Sequence, residues 1–291
     1  MVRRMEVKNS DITVSSISEK WKEYGIFEYY LSFKNRKPTH KAIVKDDSLI
    51  AIMSDNYGLF PNEEALKLAK NIGLEYGATP FAIGPASWYS KMDENTFVSN
   101  NGRVMRSLYS FNDPVSVNED LIYMGFSVNN SIDGTLAFSI SGWLYKPENN
   151  DAGSLVFFGR TRNISSDVLT GMYKRHTRQL NAEIEMSRIK KSIDGVLNEM
   201  SKLSEKLLEF NTTIVDSSSD VLARLVKSRL PQKSIPSYIR YDKKTGDLSI
   251  EGNITMYRLY FDVLSYINRV GTEFITKNVL TKQVNRVFGM E

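Results

Sequence analysis

The sequence predicts an α+β fold: a largely antiparallel sheet with one or more packed helices, followed by a long helix and a C-terminal helical region. Up to about residue 160, short apolar and β-branched runs alternate with turn residues. From Ser165, apolar residues instead recur at steps of three and four. We therefore expect a sheet domain at 1–162, a long amphipathic helical segment at 163–212, and a C-terminal helical region at 213–291 that packs on the sheet domain.

The first half is predicted to be mostly β, after a loose entry with one short helix near Ser18–Tyr24. A central hairpin should turn at Asn130–Gly134, because Asp-Gly tolerates the positive φ of a tight reversal. The one clear helix should start at the capping residue Asn62, with Glu63 and Glu64 at its positive end. The expected strands are Glu28–Phe33, His40–Lys45, Leu49–Ser54, Phe81–Tyr89, Arg103–Phe111, the two hairpin strands within Asp120–Tyr145, and Ser154–Phe158.

The second half is predicted to be helical. An apolar stripe from Leu169 to Phe210 indicates one long amphipathic helix, or two helices with a break near Asp194-Gly195. Its spacing is close to heptads, so we expect the stripe to pair within the chain or with another subunit, and we predict a homo-oligomer. A short helix at Val221–Leu230, an extended segment at Tyr238–Leu248 and a strong amphipathic helix at Thr255–Val270 should follow.

The composition is that of a globular chain, with 41% hydrophobic and 25% charged residues. No run approaches the roughly 20 apolar residues of a membrane span, and the charged start lacks the apolar core of a secretory signal. The absence of cysteine excludes disulfides and thiolate metal sites, and two histidines cannot form a three-histidine zinc site. We expect a cytoplasmic protein with no membrane partner, no metal and no cofactor.

The net charge of +4 is unevenly distributed. Residues 158–191 carry eight basic side chains against three acidic ones, whereas residues 192–211 carry two against four. A localised positive charge favours a polyanion such as nucleic acid, although a solvated helix face of mixed charge would show the same pattern. The residues expected to contact phosphates are Arg160, Arg162, Lys174, Arg175 and Arg178, with Lys34, Arg36 and Lys37 as a second basic loop.

Aromatic residues with interleaved arginines lie on the predicted strands. Aromatic faces with neighbouring cations are how proteins hold single-stranded nucleic acid. Arg103 and Arg106 are the candidate cations, and Tyr109 or Trp143 would stack on bases. The alternative is that these aromatic side chains fill a core between the sheet and the helices.

Catalytic motifs are not found in the sequence. Neither a glycine-rich nucleotide loop nor a hydrolase or metalloprotease signature occurs. Carboxylates pair at Asp46-Asp47 and at Glu63-Glu64, as a metal-dependent nuclease would need, but turn formation and the helix dipole also account for them. His176 could serve as a general base, or it could be a packed polar residue. We expect a binding protein with no catalytic residues.

Four short segments follow one another in a characteristic order: Ile52–Tyr57 with Pro61–Glu64, Val128–Gly134, Arg175–Thr177 on a predicted helix, and Thr255–Tyr266. Together they resemble the phage- and plasmid-associated family called domain of unknown function 932. The cysteine that this family often carries after the second hairpin strand is absent here. The resemblance implies a mobile-element or prokaryotic context but no particular activity. A β-rich sheet backed by helices is also similar to single-strand annealing proteins, at the level of fold alone.

We interpret the chain as a nucleic-acid-binding protein that prefers single-stranded DNA and acts in replication, recombination or annealing for a mobile element. One alternative is an oligomeric scaffold that binds a protein partner through its helices. Another is a metal-dependent nuclease. Salt-dependent binding would distinguish the first hypothesis from the scaffold, and magnesium-dependent cleavage would identify the nuclease.

Overall fold

The computed structural model describes residues 12–34, 36–82, 90–91, 95–99, 102–111, 114–148, 151–158, 172–177, 186–242, 244–269 and 274–290. Antiparallel sheets and packed helices confirm the predicted α+β class. The α-helices are α1 Asn62–Glu75, α2 Met186–Thr212, α3 Asp220–Lys227, α4 Met256–Arg269 and α5 Phe274–Phe288. The strands are β1 Ile12–Trp21, β2 Ile26–Phe33, β3 His40–Lys45, β4 Ser48–Ser54, β5 Thr79–Pro80, β6 Ser90–Lys91, β7 Thr96–Ser99, β8 Val104–Ser110, β9 Val115–Val117, β10 Asp120–Ser131, β11 Phe138–Glu148, β12 Asp151–Phe158, β13 Met172–Lys174, β14 Ile214–Val215, β15 Ile239–Tyr241, β16 Leu248–Ile250 and β17 Ile254–Thr255.

A small antiparallel sheet is formed by the first four strands in the order β1-β2-β3-β4. Its inner face is anchored by Ile26 and Ile43, which are fully buried. The short helix predicted near Ser18–Tyr24 is wrong, because β1 pairs with β2 from Ile12 to Trp21 and only one 3-10 turn, Lys22–Tyr24, follows it. Pairing with a strand that comes later in the chain outweighs the local helical pattern here.

The large sheet has nine strands, with a main order of β12-β11-β10-β8-β7-β6. Strands β13, β5 and β9 pair with β11, β8 and β10, respectively. The predicted hairpin is confirmed, since β10 and β11 pair from Asn129 with Ser139 to Tyr123 with Tyr145, and Gly134 between them has a φ of 72°. Of the predicted strand Phe81–Tyr89, residues 83–89 lie outside the described part of the chain, and the described part is not strand.

Helix α1 packs on strands β8 and β10 of the large sheet. Ala65, Ala69 and Ile72 are its fully buried stripe, and Glu63 lies in the first turn as predicted. The capping role predicted for Asn62 is wrong: Pro61 occupies the cap position, and the Asn62 amide donates to the carbonyl of Gly102 at 3.0 Å. The side chain thereby ties the helix start to the sheet.

The long helix α2 begins later than the sequence pattern indicates. Residues 172–174, predicted as helix, form strand β13, which pairs with β11 from Phe138 to Ile140. Strand β12 pairs with β11 only from Gly142 onward, so β13 fills an edge that would otherwise leave backbone groups unpaired. Of the two alternatives for the helix beyond this point, the single helix without a break is observed, because α2 runs through Asp194-Gly195 without interruption.

The apolar stripe of α2 is covered by the sheet of the same chain. Helix α2 packs on β10 and β11 and against α4. A Cβ on Gly142 of β11 would lie 2.3 Å from Cε of Met200, so the helix approaches the strand closely. The stripe therefore gives no reason for self-association. Its buried members are Ile189, Ile193, Val196, Met200, Leu203, Leu207 and Phe210.

The C-terminal helices α3, α4 and α5 complete one hydrophobic core with the large sheet and the two earlier helices. Helix α4 packs on β12, as does α5, and Tyr257 of α4 donates to Asp120 at 2.8 Å. The predicted helix at Thr255–Val270 is confirmed by α4. The extended segment predicted at Tyr238–Leu248 corresponds to the hairpin of β15 and β16. Among the described residues, no helix is long and apolar enough to cross a membrane.

Candidate functional site

The loop between β2 and β3 presents the first group of predicted basic residues. Lys34, Arg36 and Lys37 are all exposed. Arg36 donates its backbone N–H to the carbonyl of Phe33 at 3.0 Å, which turns the chain tightly after the strand. Phe33 itself is 52% exposed, and Nζ of Lys34 lies 5.4 Å from the centre of its ring. The Lys34 ammonium group therefore lies over the exposed Phe33 ring at this end of the small sheet.

Arg175 is the exposed, described member of the second basic group. It follows β13, and its carbonyl accepts a hydrogen bond from Thr177 at 2.8 Å. Lys174 lies at the end of β13, and its side chain is outside the described part of the structure. Arg160, Arg162 and Arg178 lie outside the described residues.

The two basic groups lie towards the same end of the small sheet, although about 140 residues separate them in sequence. Beyond β4, the N–H of Asp55 donates to the carbonyl of Thr39 in the basic loop at 3.0 Å. Two residues further on, Tyr57 forms an antiparallel bridge with Thr177. Segment 55–57 therefore lies between the basic loop and Arg175. We call Lys34, Arg36, Lys37 and Arg175 the basic rim.

A junction cluster holds this arrangement together, and it consists of the buried Tyr57, Asn62 and Asn130, the partly buried His176 and the exposed turn residue Gly134. The His176 ring stacks on Tyr57 with centroids 5.0 Å apart, and its Nδ1 donates to the carbonyl of Gly58 at 3.0 Å. Asn130 donates to the carbonyl of Phe60 at 2.8 Å and to Oδ1 of Asn62 at 2.9 Å. The cluster joins three parts of the chain that are far apart in sequence, around residues 57–62, 130–134 and 176.

Two features of the junction cluster restrict its chemistry. Burial lowers the pKa of His176 and outweighs the carbonyls of Gly58 and Leu136 and the charge of Asp133, which act in the opposite direction. The imidazole is therefore neutral near pH 7, with the Nδ1 proton directed to Gly58. Gly134 needs its positive φ, and a Cβ there would lie 2.6 Å from Cε of Met53. His176 thus has a packing role, and its predicted position on a helix is wrong.

The arginines predicted on the strands do not form an open binding surface. Arg106 is 4% exposed, and its guanidinium lies 3.4 Å from the ring centre of Phe157. Desolvation lowers the pKa of this guanidinium. Arg103 is partly buried at the start of β8, and its carbonyl accepts the N–H of Ile132 at 3.0 Å. Both residues serve the packing of the large sheet in this conformation.

The two aromatic residues predicted to stack on bases are core residues, which corrects that expectation. Trp143 is fully buried, and its Nε1 donates to the carbonyl of Phe126 at 2.8 Å. Tyr109 is 3% exposed, stacks on Phe126 at 5.2 Å, and lies against Gly73 of α1. Neither ring offers a face to a ligand. Both face apolar layers that only the folded sheet brings together.

Phe33 is an exposed aromatic residue beside the basic loop, for which the sequence predicts no role. Its position follows a simple pattern, because Phe27, Tyr29, Leu31 and Phe33 alternate along β2 and end directly before the basic loop. In a strand, alternate residues lie on the same face, so these four line one side of the small sheet.

The carboxylates considered as metal ligands of a nuclease form ion pairs or lie in a turn. Glu63 forms an ion pair with Lys45 at 2.5 Å, and Glu64 pairs with Lys67 at 3.0 Å. Asp46 and Asp47 form the β3–β4 turn with φ of 48° and 61°. In the part of the chain that the structure describes, no three His, Cys, Asp or Glu residues are grouped as metal ligands.

The basic rim also has acidic neighbours. Asp55 is partly buried in segment 55–57, and Asp133 lies in the β10–β11 turn, where it accepts hydrogen bonds from the N–H and hydroxyl of Thr135 at 3.0 and 2.6 Å. The surface around the basic rim therefore carries acidic as well as basic side chains.

Comparison with known proteins adds no relative, since no family model, no curated protein and no solved structure matches this chain.

Proposed function

We propose that this chain binds single-stranded nucleic acid at the basic rim, with Phe33 stacking on a base. One observation carries the proposal: two basic segments that are far apart in sequence lie towards one end of the small sheet, and a half-exposed aromatic ring, Phe33, lies next to Lys34 of the first segment. Phosphates would contact the rim, and an unpaired base would lie on Phe33. A duplex keeps its bases stacked inside, so it would contact the rim alone.

The proposal extends to biological context as an expectation. We expect the ligand to be single-stranded DNA and the protein to act in annealing or recombination for a mobile element. We expect its location to be the cytoplasm. The resemblance to the domain of unknown function 932 motivates this setting. No described group of residues favours cleavage, so we propose binding without catalysis.

Fluorescence anisotropy with labelled single-stranded oligonucleotides at several salt concentrations tests the proposal. Replacing Arg36, Lys37 and Arg175 by alanine should weaken binding for all sequences and make the logarithmic salt slope shallower by about two, at roughly −0.7 per phosphate. The matched control replaces Arg224, Lys227 and Arg229, which are exposed on and after α3, and should leave affinity and slope unchanged.

Phe33 is tested separately, because stacking and phosphate contacts respond differently to salt. Phe33→Ala should cost about 1–3 kcal/mol of binding free energy to a single strand at every salt concentration, with the salt slope unchanged. Phe33→Leu keeps the apolar bulk but removes the aromatic face, so it should behave like Phe33→Ala. Binding by a folded rim variant with unaltered affinity and slope would exclude the rim as the site.

A further inference from the structure

The outer side of the small sheet is an exposed apolar surface, which we call the outer face. Six side chains on it are about half exposed: Ile12 51%, Val14 54%, Ile17 52%, Phe33 52%, Leu49 48% and Ile52 58%. Strand register places them together, since Ile12 pairs with Phe33, Ala42 with Ile52, and Val44 with Leu49. A sheet normally covers an apolar face with a second layer. No described element of this chain covers this one.

The size of the outer face matches a protein interface. At roughly 100 Å² for each half-exposed side chain, the six supply about 600 Å² of apolar surface, at the upper limit of what monomers usually expose. Partly buried neighbours on the same face, including Phe27, Tyr29 and Val44, add to it. A standard interface buries about 800 Å² on each partner.

The chemistry of the face favours protein over nucleic acid. Apart from Phe33 at its end, the half-exposed members are aliphatic, and an aliphatic surface offers bases no stacking platform. The apolar face of one sheet can pack on the apolar face of another, about 10 Å away, in a sandwich.

The charges at the two ends of the sheet point to a second copy of this chain. Arg36 and Lys37 are exposed at the β2–β3 end, and Asp46 and Asp47 are exposed at the β3–β4 end. Two copies stacked with antiparallel strands would bring each acidic turn towards the basic loop of the other copy. Parallel stacking would instead oppose like charges. One surface thus carries both halves of a complementary two-fold contact.

We propose that two copies of this chain pack their outer faces together, with antiparallel strands, into an eight-stranded sandwich. The two proposals rest on separate observations but compete for one surface, because the sandwich would bury Phe33 and bring the acidic turn of the other copy towards Arg36 and Lys37. The sandwich also differs from pairing through the stripe of α2, which the chain itself buries.

Sedimentation velocity tests the proposal. The protein concentration should run from about 1 to about 100 μM, which is on the order of the dissociation constants of moderate interfaces. The wild-type chain should sediment at twice its mass of 33.2 kDa at the upper concentrations. The variant Ile17→Thr with Ile52→Thr keeps β-branched side chains but adds hydroxyls, and it should weaken the dimer at least about tenfold. The control, Leu121→Thr, changes a residue that is 47% exposed on β10 and should leave the dimer intact.

The orientation is tested by Asp46→Asn with Asp47→Asn. Asparagine tolerates the positive φ at both positions, so the turn should be retained. Removing these charges should weaken the antiparallel dimer several-fold, whereas it should strengthen a parallel dimer, in which the acidic turns of the two copies would face each other. A wild-type chain that stays at 33.2 kDa at the highest concentration overturns the proposal, as does a dimer that persists in the folded Ile17→Thr, Ile52→Thr variant.

Discussion

The ring of His176 stacks on the ring of Tyr57, with centroids 5.0 Å apart and planes 16° from parallel. The contact joins the segment after β4 to the segment after β13, which are about 120 residues apart in sequence. Arg175 precedes this histidine, so the stack fixes where one member of the basic rim reaches the surface. A buried aromatic pair thereby positions an exposed charge.

Stability should decrease in mild acid because of His176. Burial lowers the pKa of His176 in the folded state below its value of about 6.5 in the unfolded chain, so the unfolded state binds the proton more tightly. Unfolding free energy should therefore fall as pH drops from about 6.5 towards the folded pKa, and this contribution should be constant above that window. Urea unfolding at a series of pH values measures it.

His176→Phe keeps the stack but removes the titrating group. The variant should lose this part of the pH dependence, and at neutral pH it should be destabilised by about 1 kcal/mol for the lost hydrogen bond to Gly58. His40→Gln is the control at the exposed histidine and should retain the acid destabilisation. An unchanged pH profile in His176→Phe would show that another group is responsible.

The side-chain amide of Asn130 should contribute strongly to the free energy of unfolding, because it donates to buried groups. Asn130→Ala leaves the buried carbonyl of Phe60 without this donor and should cost about 2 kcal/mol of unfolding free energy. Asn211 offers a matched comparison, because it exchanges hydrogen bonds of 2.6 and 2.8 Å with Asn118 in an exposed position. Asn211→Ala should cost less than about 0.5 kcal/mol. Equal losses in the two variants, measured by denaturant titration, would contradict the junction cluster.

Two glycines of the hairpin should differ in their tolerance of alanine. At Gly125 a Cβ would lie 1.8 Å from the backbone oxygen of Tyr109, which cannot move without breaking strand pairing, so Gly125→Ala should be destabilised by more than about 3 kcal/mol. At Gly142 the nearest atom is the flexible end of Met200, and Gly142→Ala should cost about 1–2 kcal/mol. Thermal unfolding ranks the two. The reverse order would contradict the close approach of Gly125 to the backbone of Tyr109, and a Gly142→Ala variant without any loss would show that α2 does not lie on β11 as described.

Trp143 and Phe33 should respond in opposite ways to substitution. Trp143→Phe loses buried volume and the hydrogen bond to Phe126, so it should lower unfolding free energy by about 2 kcal/mol while leaving nucleic-acid affinity unchanged below its melting temperature. Phe33→Ala should lower affinity with little change in stability, because the ring is half exposed. Calorimetry and anisotropy on the same preparations compare the two effects. If the Trp143→Phe variant is folded but binds nucleic acid weakly, Trp143 contributes to the binding site after all.

The sequence alone was sufficient where structure depends on local periodicity and turn chemistry. The Asp133-Gly134 turn, the helix over α1 and the aromatic helix α4 follow from positive φ at glycine and from the spacing of apolar residues. The fold class follows from the same patterns. These features need only neighbours within a few residues, so one stretch of sequence contains the information.

Tertiary structure decided whatever depends on which distant segments pair. Ser18–Tyr24 and residues 172–174 have helical patterns, yet edge pairing with β2 and β11 makes strands of Ser18–Trp21 and 172–174, because an unpaired backbone beside a sheet is costly. Trp143 and Phe33 are both aromatic residues on strands, and only the packing of the layers buries the first and exposes the second. The position of Arg175 towards the same end of the small sheet as the basic loop depends on long-range pairing of the same kind, between Tyr57 and Thr177, which no local pattern encodes.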